Sequence, residues 1–453
     1  MRILHYSLGL PPYRTGGLTK YAFDLMKEQV YEGKDIYLLY PGHIKLLNKQ
    51  IKISLKKQQL GIKVYELINP LPVPLLSGIG QPTSFCIKAS KEVYISFLRE
   101  LAPDIIHLHT LMGLHKEFFI ACRELNIKMI FTTHDYFGIC PKVNLFDFNN
   151  RICTDYKKGE NCIKCNEASY SLKMIFLMQS RIYKSLTSYK FFNKIKHYLK
   201  SKLSKKEGWN TLKSNPPLNE YSELRKYYLD ILNLIDYFHY NSSVSKEEYE
   251  KYISCTGEII NITHNEIKDN RKVKVYNNNS SKLRITYLGP NEAYKGFSLL
   301  TQALEELKGQ NICNWELTVY SQKKDGADPN YFFKGPYNYQ ELEDIFNNTD
   351  ILIIPSVWNE TFGYIGLEAF SFGVPVMVTE NVGFKDILIN NVTGIIIGSH
   401  IEELAENIAK IIEDRNILEK INRNIIAAKF DFSLKSHSEN MFKLYDKVLG
   451  GRC

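Results

Sequence analysis

The stretch from Asp350 to Val378 constrains the fold more than any other. Asp350-Ile351-Leu352-Ile353-Ile354-Pro355-Ser356 is a short continuous apolar run that stops in turn residues, which is how a strand buried on both faces reads. Ile365, Leu367, Glu368, Ala369 and Phe370 mark a helix ending near Gly373, and Val374-Pro375-Val376-Met377-Val378 starts the next strand. Strand, loop, helix and strand in this order form one unit of a doubly wound sheet. Two carboxylates, Glu360 in the loop and Glu368 in the second helical turn, flank Thr361-Phe362-Gly363. Unpaired amides at a helix start attract an anion, glycine lets backbone come close, and a carboxylate accepts hydrogen bonds from paired hydroxyls. The arrangement suits a ligand carrying phosphates and hydroxyls. The plain alternative makes Glu360 a first-turn acid and Glu368 a solvated residue, but Glu368 has the apolar neighbours Leu367, Ala369 and Phe370.

The same alternation starts at the amino end. Arg2 to Leu8 reads as a strand, Pro11 to Gly17 as a loop, and Tyr21, Ala22, Leu25, Met26 and Val30 as a helix ending near Gly33. Gly16-Gly17 is either a simple turn or a flexible lip beside a ligand; it is not the G-x-G-x-x-G fingerprint, which disfavours an NAD site. Asp35 to Tyr40, Asp104 to His109 and Lys128 to Asp135 are further strands. His109 and His134 stand at strand carboxyl ends, where parallel sheets bind ligands, with Asp135 alongside; structural histidines are the rival reading. Ile259 to Asn265 reads as the last strand before a polar stretch, Lys268 to Lys282. A new strand, Leu283 to Gly289, leads to Lys295-Gly296 at a strand-to-helix turn, where a lysine meets phosphate as a point charge.

Glu360 to Glu368, with TFGYIGL between and AFSFGVPV after, resembles the E-x7-E signature of retaining glycosyltransferases of family 4, which have the GT-B fold. The resemblance implies that Glu368 binds the donor ribose hydroxyls, that Glu360 contacts the donor sugar, that the amides of Phe362 and Gly363 hold the diphosphate, and that Thr361 is among the donor-binding residues. It also implies that Gly16 and Gly17 line the donor site, that His134 serves as the active-site histidine, and that Lys295 binds diphosphate. The family's phosphate-binding arginine is replaced by Pro290 or Asn291, which leaves open whether Arg14 substitutes. The expected fold is α/β, with two doubly wound Rossmann-like domains facing across a cleft. Residues 1–268 form the acceptor-side domain, with a cysteine-bearing loop (136–170) and a basic insertion (171–219); 269–282 is a linker; 283–432 binds the nucleotide sugar; and 433–453 is a helix crossing back. The implied reaction moves a hexosyl group from a UDP- or GDP-sugar to a glycan or lipid-linked glycan, with retention and without a cofactor or catalytic metal. A nucleotide-sugar 2-epimerase or phosphorylase on the same fold, or an inactive membrane-associated scaffold, are the rival readings.

Composition bounds the partners. At 453 residues the chain exceeds one ordinary core and suggests two domains of about 200 residues. The net charge of +9 is local: Arg181 to Lys206 carries nine basic residues and no acid. Interleaved Tyr183, Leu186, Phe191, Phe192, Ile195 and Leu199 fit a basic amphipathic helix on anionic lipid or a solvated face, and no nucleic-acid motif accompanies them. No apolar run reaches the roughly 18 residues of a membrane span, and no signal-peptide core is seen, so the expected location is the cytosol, with peripheral contact at the membrane's inner face. Cys140, Cys153, Cys162 and Cys165 include one C-x2-C pair, which fits a structural zinc or free thiols lining a loop.

Overall fold

A computed structural model describes residues 1–14, 16–45, 48–181, 183, 217–276, 282–321 and 328–450. The basic stretch beyond Tyr183 lies outside the described residues.

The first sheet comprises β1 (Arg2–Tyr6), β2 (Asp35–Pro41), β3 (Lys52–Gln59), β4 (Ile62–Ile68), β5 (Ile105–Leu108), β6 (Lys128–Thr132), β7 (Tyr237–Tyr240) and β8 (Gly257–Ile259), in the order β3-β4-β2-β1-β5-β6-β7-β8. All neighbours run parallel except β3, which pairs antiparallel with β4. Its sequence KISLKKQQ is largely exposed, and its lysines discourage a further strand from adding to this edge. The second sheet comprises β9 (Leu283–Leu288), β10 (Trp315–Tyr320), β11 (Tyr331–Phe333), β12 (Ile351–Ile354), β13 (Val376–Thr379) and β14 (Ile395–Ile397), parallel throughout, in the order β11-β10-β9-β12-β13-β14. Apolar runs such as β12 and β13 are buried at every position, as strands covered by helices on both faces must be.

The longer helices that matter here are α1 (Gly17–Tyr31), α2 (Phe297–Gly309), α3 (Tyr364–Ser371), α4 (Ile401–Glu413), α5 (Asn416–Ala427) and α6 (Leu434–Val448). Buried Leu404, Ala405, Ile408 and Ile411 put one face of α4 against the second sheet's core. Ser433 caps α6 by accepting from the Ser436 amide at 3.2 Å. That helix crosses back onto α1: Tyr21 meets His437 at 2.8 Å, Gln29 donates to the Tyr445 hydroxyl at 3.0 Å, and Ser438 donates to Glu32 at 2.8 Å.

The expected strand from Ile259 to Asn265 shrinks to the last residue of β8. The Ile260 amide still donates to Tyr240, but Thr263 then donates to the Phe432 carbonyl and the Asn265 amide to Asp24, which draws the chain off the sheet. The polar connection is likewise fastened down. Arg271 donates to the Ile425 and Ala428 carbonyls at 2.7 and 2.8 Å, and Lys274 to the Thr349 carbonyl at 2.7 Å, so residues 271–274 lie along the second domain.

Candidate active site

An open parallel sheet leaves a crevice at the carboxyl ends of two neighbouring strands whose connections depart in opposite directions. In the second sheet this place lies between β9 and β12. The chain leaving β9 carries Lys295, and the chain leaving β12 carries Glu360. Gly296, with φ of 72°, lets the two come together: a Cβ there would sit 1.6 Å from the Pro355 carbonyl oxygen. Lys295 Nζ then reaches Glu360 Oε1 at 2.6 Å while Ser356 donates to Oε2 at 2.7 Å, and the ammonium lies 5.4 Å from the Trp358 ring centre. Glu360 is only 8% exposed, so both its oxygens are engaged in a nearly closed setting.

The loop continues through Thr361 and Phe362 to Gly363, whose φ of 93° starts α3. One turn into the helix, Glu368 is 3% exposed. Its Oε1 lies 3.6 Å from His264 Nε2, and its Oε2 has no hydrogen-bond partner among the described residues. Burial first, and the Glu368 charge second, push the Tyr339 phenol above its ordinary value. The His264 ring stands between Tyr339 and Tyr364, at 5.4 and 5.1 Å. Sequence reasoning passed over His264 because it comes from an irregular segment, and only the apolar run ending in Thr263-His264 marked the place.

In the first sheet the corresponding crevice lies between β1 and β5. β1 leads to Gly16-Gly17, β5 to His109 and the next strand, β6, to His134. Gly16 has φ of 117°, and a Cβ on Gly17 would lie 3.3 Å from the Tyr364 ring, so this loop touches the start of α3 across the domain boundary. The His134 carbonyl accepts from Thr361 Oγ1 at 2.9 Å, and the Thr361 carbonyl accepts from Ser242 Oγ. Thr361, expected among the donor-binding residues, therefore also ties the two domains together. The His134 ring, edge-on to Tyr21 at 4.9 Å, is pushed down to about 3 by burial, so it is neutral. Asp135 accepts from the Phe137 amide at 2.9 Å and shapes the turn after β6; burial pushes its carboxyl up to about 6. Arg14 stacks on Tyr13 at 4.9 Å and makes no ion pair among the described residues.

Cys140, Cys153, Cys162 and Cys165 share one region, the last two on a short helix, Glu160–Cys165. Burial, with neighbouring sulfurs adding, pushes the Cys153 thiol up to about 11 and the Cys162 thiol up to about 12. Among the described residues the three metal-ligating side chains whose donor atoms all lie within 4.8 Å of one another are instead His5, His107 and His109. Of these, His5 and His109 are nearly coplanar, 9° apart, with Nδ1 facing Nε2 at 3.0 Å. A metal held between head-on rings would separate the nitrogens by about 4 Å, so this pair shares a proton.

The family described as Glycosyl transferases group 1 matches residues 268–428. These residues are a group 1 glycosyltransferase domain. The transferase domain takes in the fastened connection, Lys295, Glu360 and Glu368. Among curated relatives, the D-inositol 3-phosphate glycosyltransferase of Corynebacterium jeikeium (strain K411) is 26% identical over 182 residues, 36% of this chain and 43% of that protein. The capsular polysaccharide biosynthesis glycosyltransferase CapM of Staphylococcus aureus is 34% identical over 80 residues, 17% of this chain and 21% of that one. The chain thus aligns with less than half the length of either. Similar solved structures span the whole chain. Anabaena HepE in complex with UDP and glucose gives a TM-score of 0.54 at 13% identity, covering 98% of this chain and 99% of that one. WaaG, a glycosyltransferase involved in lipopolysaccharide biosynthesis, gives 0.55 at 14%, covering 99% and 100%. The likeness shows the fold, two Rossmann-like domains of the GT-B type, around the transferase domain and its partner.

Proposed function

We propose that the protein transfers a hexosyl group from a nucleotide sugar, with retained anomeric configuration, to a glycan or lipid-linked glycan acceptor. The observation that carries this reading is Glu368: a carboxylate oxygen buried without a hydrogen-bond partner among the described residues, on a helix whose amino end adjoins the Lys295–Glu360 pair. A buried acceptor of this kind is satisfied by paired ribose hydroxyls. Lys295 and the free amides at the start of α3 neutralise the departing diphosphate, where negative charge builds in the transition state. Glu360 contacts the transferred sugar, Gly16 and Gly17 close the donor site from the first domain, and His134 meets the sugar from the same side. With both oxygens of Glu360 engaged, no covalent glycosyl intermediate on it is invoked; the acceptor attacks on the face the diphosphate leaves.

The similarity to HepE, solved in complex with UDP and glucose, and to CapM, a capsular polysaccharide biosynthesis glycosyltransferase, supports a UDP-sugar donor and a role in building surface polysaccharide. The basic residues from Arg181 to Lys206 support contact with an anionic membrane carrying the acceptor. No helix among the described residues is long and apolar enough to cross a membrane. The test is a panel of UDP-, GDP- and ADP-sugars assayed for nucleotide release, with wild type and Glu368→Ala. One nucleotide should stand out in the wild type and be lost in the variant; a wild-type protein that binds none of the nucleotides overturns the proposal.

A further inference from the structure

A continuous polar chain runs through the core beneath His134. His134 Nε2 faces His109 Nδ1 at 3.4 Å, His109 Nε2 faces His5 Nδ1 at 3.0 Å, and His5 Nε2 faces Gln29 Oε1 at 2.8 Å. Gln29 Nε2 donates to the Tyr445 hydroxyl at 3.0 Å, which lies 2.7 Å from His107 Nδ1. His107 Nε2 reaches Thr132 Oγ1 at 2.6 Å, Thr132 Oγ1 reaches His239 Nδ1 at 2.8 Å, and His239 Nε2 reaches the Ile260 carbonyl at 2.8 Å. His5, His107, His109 and His239 are completely buried.

The far end dictates every proton. A carbonyl oxygen only accepts, so His239 carries its proton on Nε2, and as a neutral ring it offers a lone pair at Nδ1. The single Thr132 hydroxyl proton goes to that lone pair. Thr132 must then accept from His107 Nε2–H, which leaves His107 Nδ1 to accept from Tyr445. The Tyr445 oxygen in turn accepts from the Gln29 amide nitrogen, so the Gln29 oxygen faces His5 and accepts from its Nε2–H. The Gln29 side chain is oriented in this way, nitrogen to Tyr445 and oxygen to His5, which agrees with the direction set from the other end. His5 Nδ1 accepts from His109 Nε2–H, and His109 Nδ1 accepts from His134 Nε2–H. Burial lowers His5 and His239 to about 4 and holds His107 and His109 well below the ordinary histidine value, in keeping with neutral rings.

We propose that this chain locks the tautomer of His134, so that Nε2 holds the proton and Nδ1 presents a bare lone pair, and that the site consequently takes a sugar that offers a hydroxyl there and not a carboxylate. The lock itself stands on the hydrogen-bond geometry; its consequence for the sugar rests on the transferase reading. Among the described residues His134 Nδ1 has no protein partner, and the half-buried ring leaves it open to a ligand. His109, His5, Gln29, Tyr445, His107, Thr132 and His239 are positioning residues.

Thr132 is the switch in the test, because it joins the fixed end to the rest. Thr132→Val keeps the shape and removes the link. Both directions of the remaining chain then leave one group at His107 unpaired, so the preference at His134 disappears. Nitrogen-15 spectra of histidine-labelled protein read the tautomer directly, with His134→Asn identifying the signal. We expect wild-type His134 in the Nε2–H form at neutral pH and a mixture of forms in Thr132→Val. A wild-type His134 protonated on Nδ1 or on both nitrogens overturns the lock even if the variant fails to fold, and an unchanged His134 in a folded Thr132→Val overturns the relay. In kinetics, Thr132→Val should lower kcat/KM about tenfold with the nucleoside diphosphate Kd unchanged, whereas equal losses in both would show a merely structural role. The hexuronate matching the preferred nucleotide hexose should be used at least about 100-fold less well, and equal use overturns the specificity claim. Absence of nucleotide binding to wild type defeats the transferase reading alone, because the spectra need no substrate.

Discussion

Replacing Glu368 with glutamine should stabilise the free protein and weaken its ligand, two effects of opposite sign from one atom. Among the described residues Glu368 Oε2 is buried without a hydrogen-bond partner, while Oε1 lies 3.6 Å from His264 Nε2 and the Tyr339 hydroxyl also bonds the carboxylate. Leaving a buried polar atom unsatisfied costs about 1–3 kcal/mol, more when it is charged, and an amide of the same shape lowers that cost. We therefore expect Glu368→Gln to gain about 1 kcal/mol, which for a domain of roughly 150–250 residues raises Tm by about 2–4 °C. A hydrogen bond to a charged group contributes about 1.5–3 kcal/mol, so losing the carboxylate's bond to a ribose hydroxyl should weaken nucleoside diphosphate binding by about 10- to 150-fold. Thermal melting and calorimetric titration of the same preparation measure both. A variant that melts lower and binds nucleotide as before would show that Glu368 exists to partner His264, and the argument from the buried oxygen would fail.

Gly296→Ala should cost more than about 3 kcal/mol, because its Cβ would meet the Pro355 carbonyl oxygen at 1.6 Å in a backbone conformation that side chains avoid; a Tm within a degree of wild type refutes the close approach. Lys295→Met keeps the methylenes and removes the cation, so nucleotide release should slow by about 10²- to 10³-fold, and an unchanged rate would assign charge neutralisation elsewhere. Acid should destabilise the fold early. The unfolded chain protonates histidines below about 6.5 while His5 and His239 stay neutral to about 4 in the folded chain, so stability present above 6.5 is lost as pH falls across that window, by about 1.4 kcal/mol per unit for each ring. Urea midpoints at pH 7 and pH 5 check this, and equal midpoints would contradict the buried neutral rings.

The second domain was legible because its strands are buried on both faces and therefore read as unbroken apolar runs. Leu283–Leu288 and Ile351–Ile354, with the loops that follow each, put Lys295 and Glu360 at strand ends without any knowledge of contacts. The region from Lys52 to Ile68 was not read, since an exposed edge strand such as KISLKKQQ resembles a polar loop. The expected strand at Ile259 to Asn265 failed for a different reason: its apolar pattern was sound, but Thr263 and Asn265 bond to residues far along the chain. The histidine network is the least legible feature. Gln29 and Tyr445 are separated by 416 positions, and no local pattern announces that they meet. The alternation placed His134 and His109 correctly at strand ends, yet could not say which nitrogen of either ring faces which neighbour.

The passage of α6 back over α1 has a consequence for biosynthesis. Tyr21, Gln29 and His107 each need a partner from His437 or Tyr445 to satisfy a buried polar atom. A nascent chain that has emerged only through its first several hundred residues still lacks those partners, so the amino-terminal half waits, incompletely packed, until the ribosome has delivered the last one.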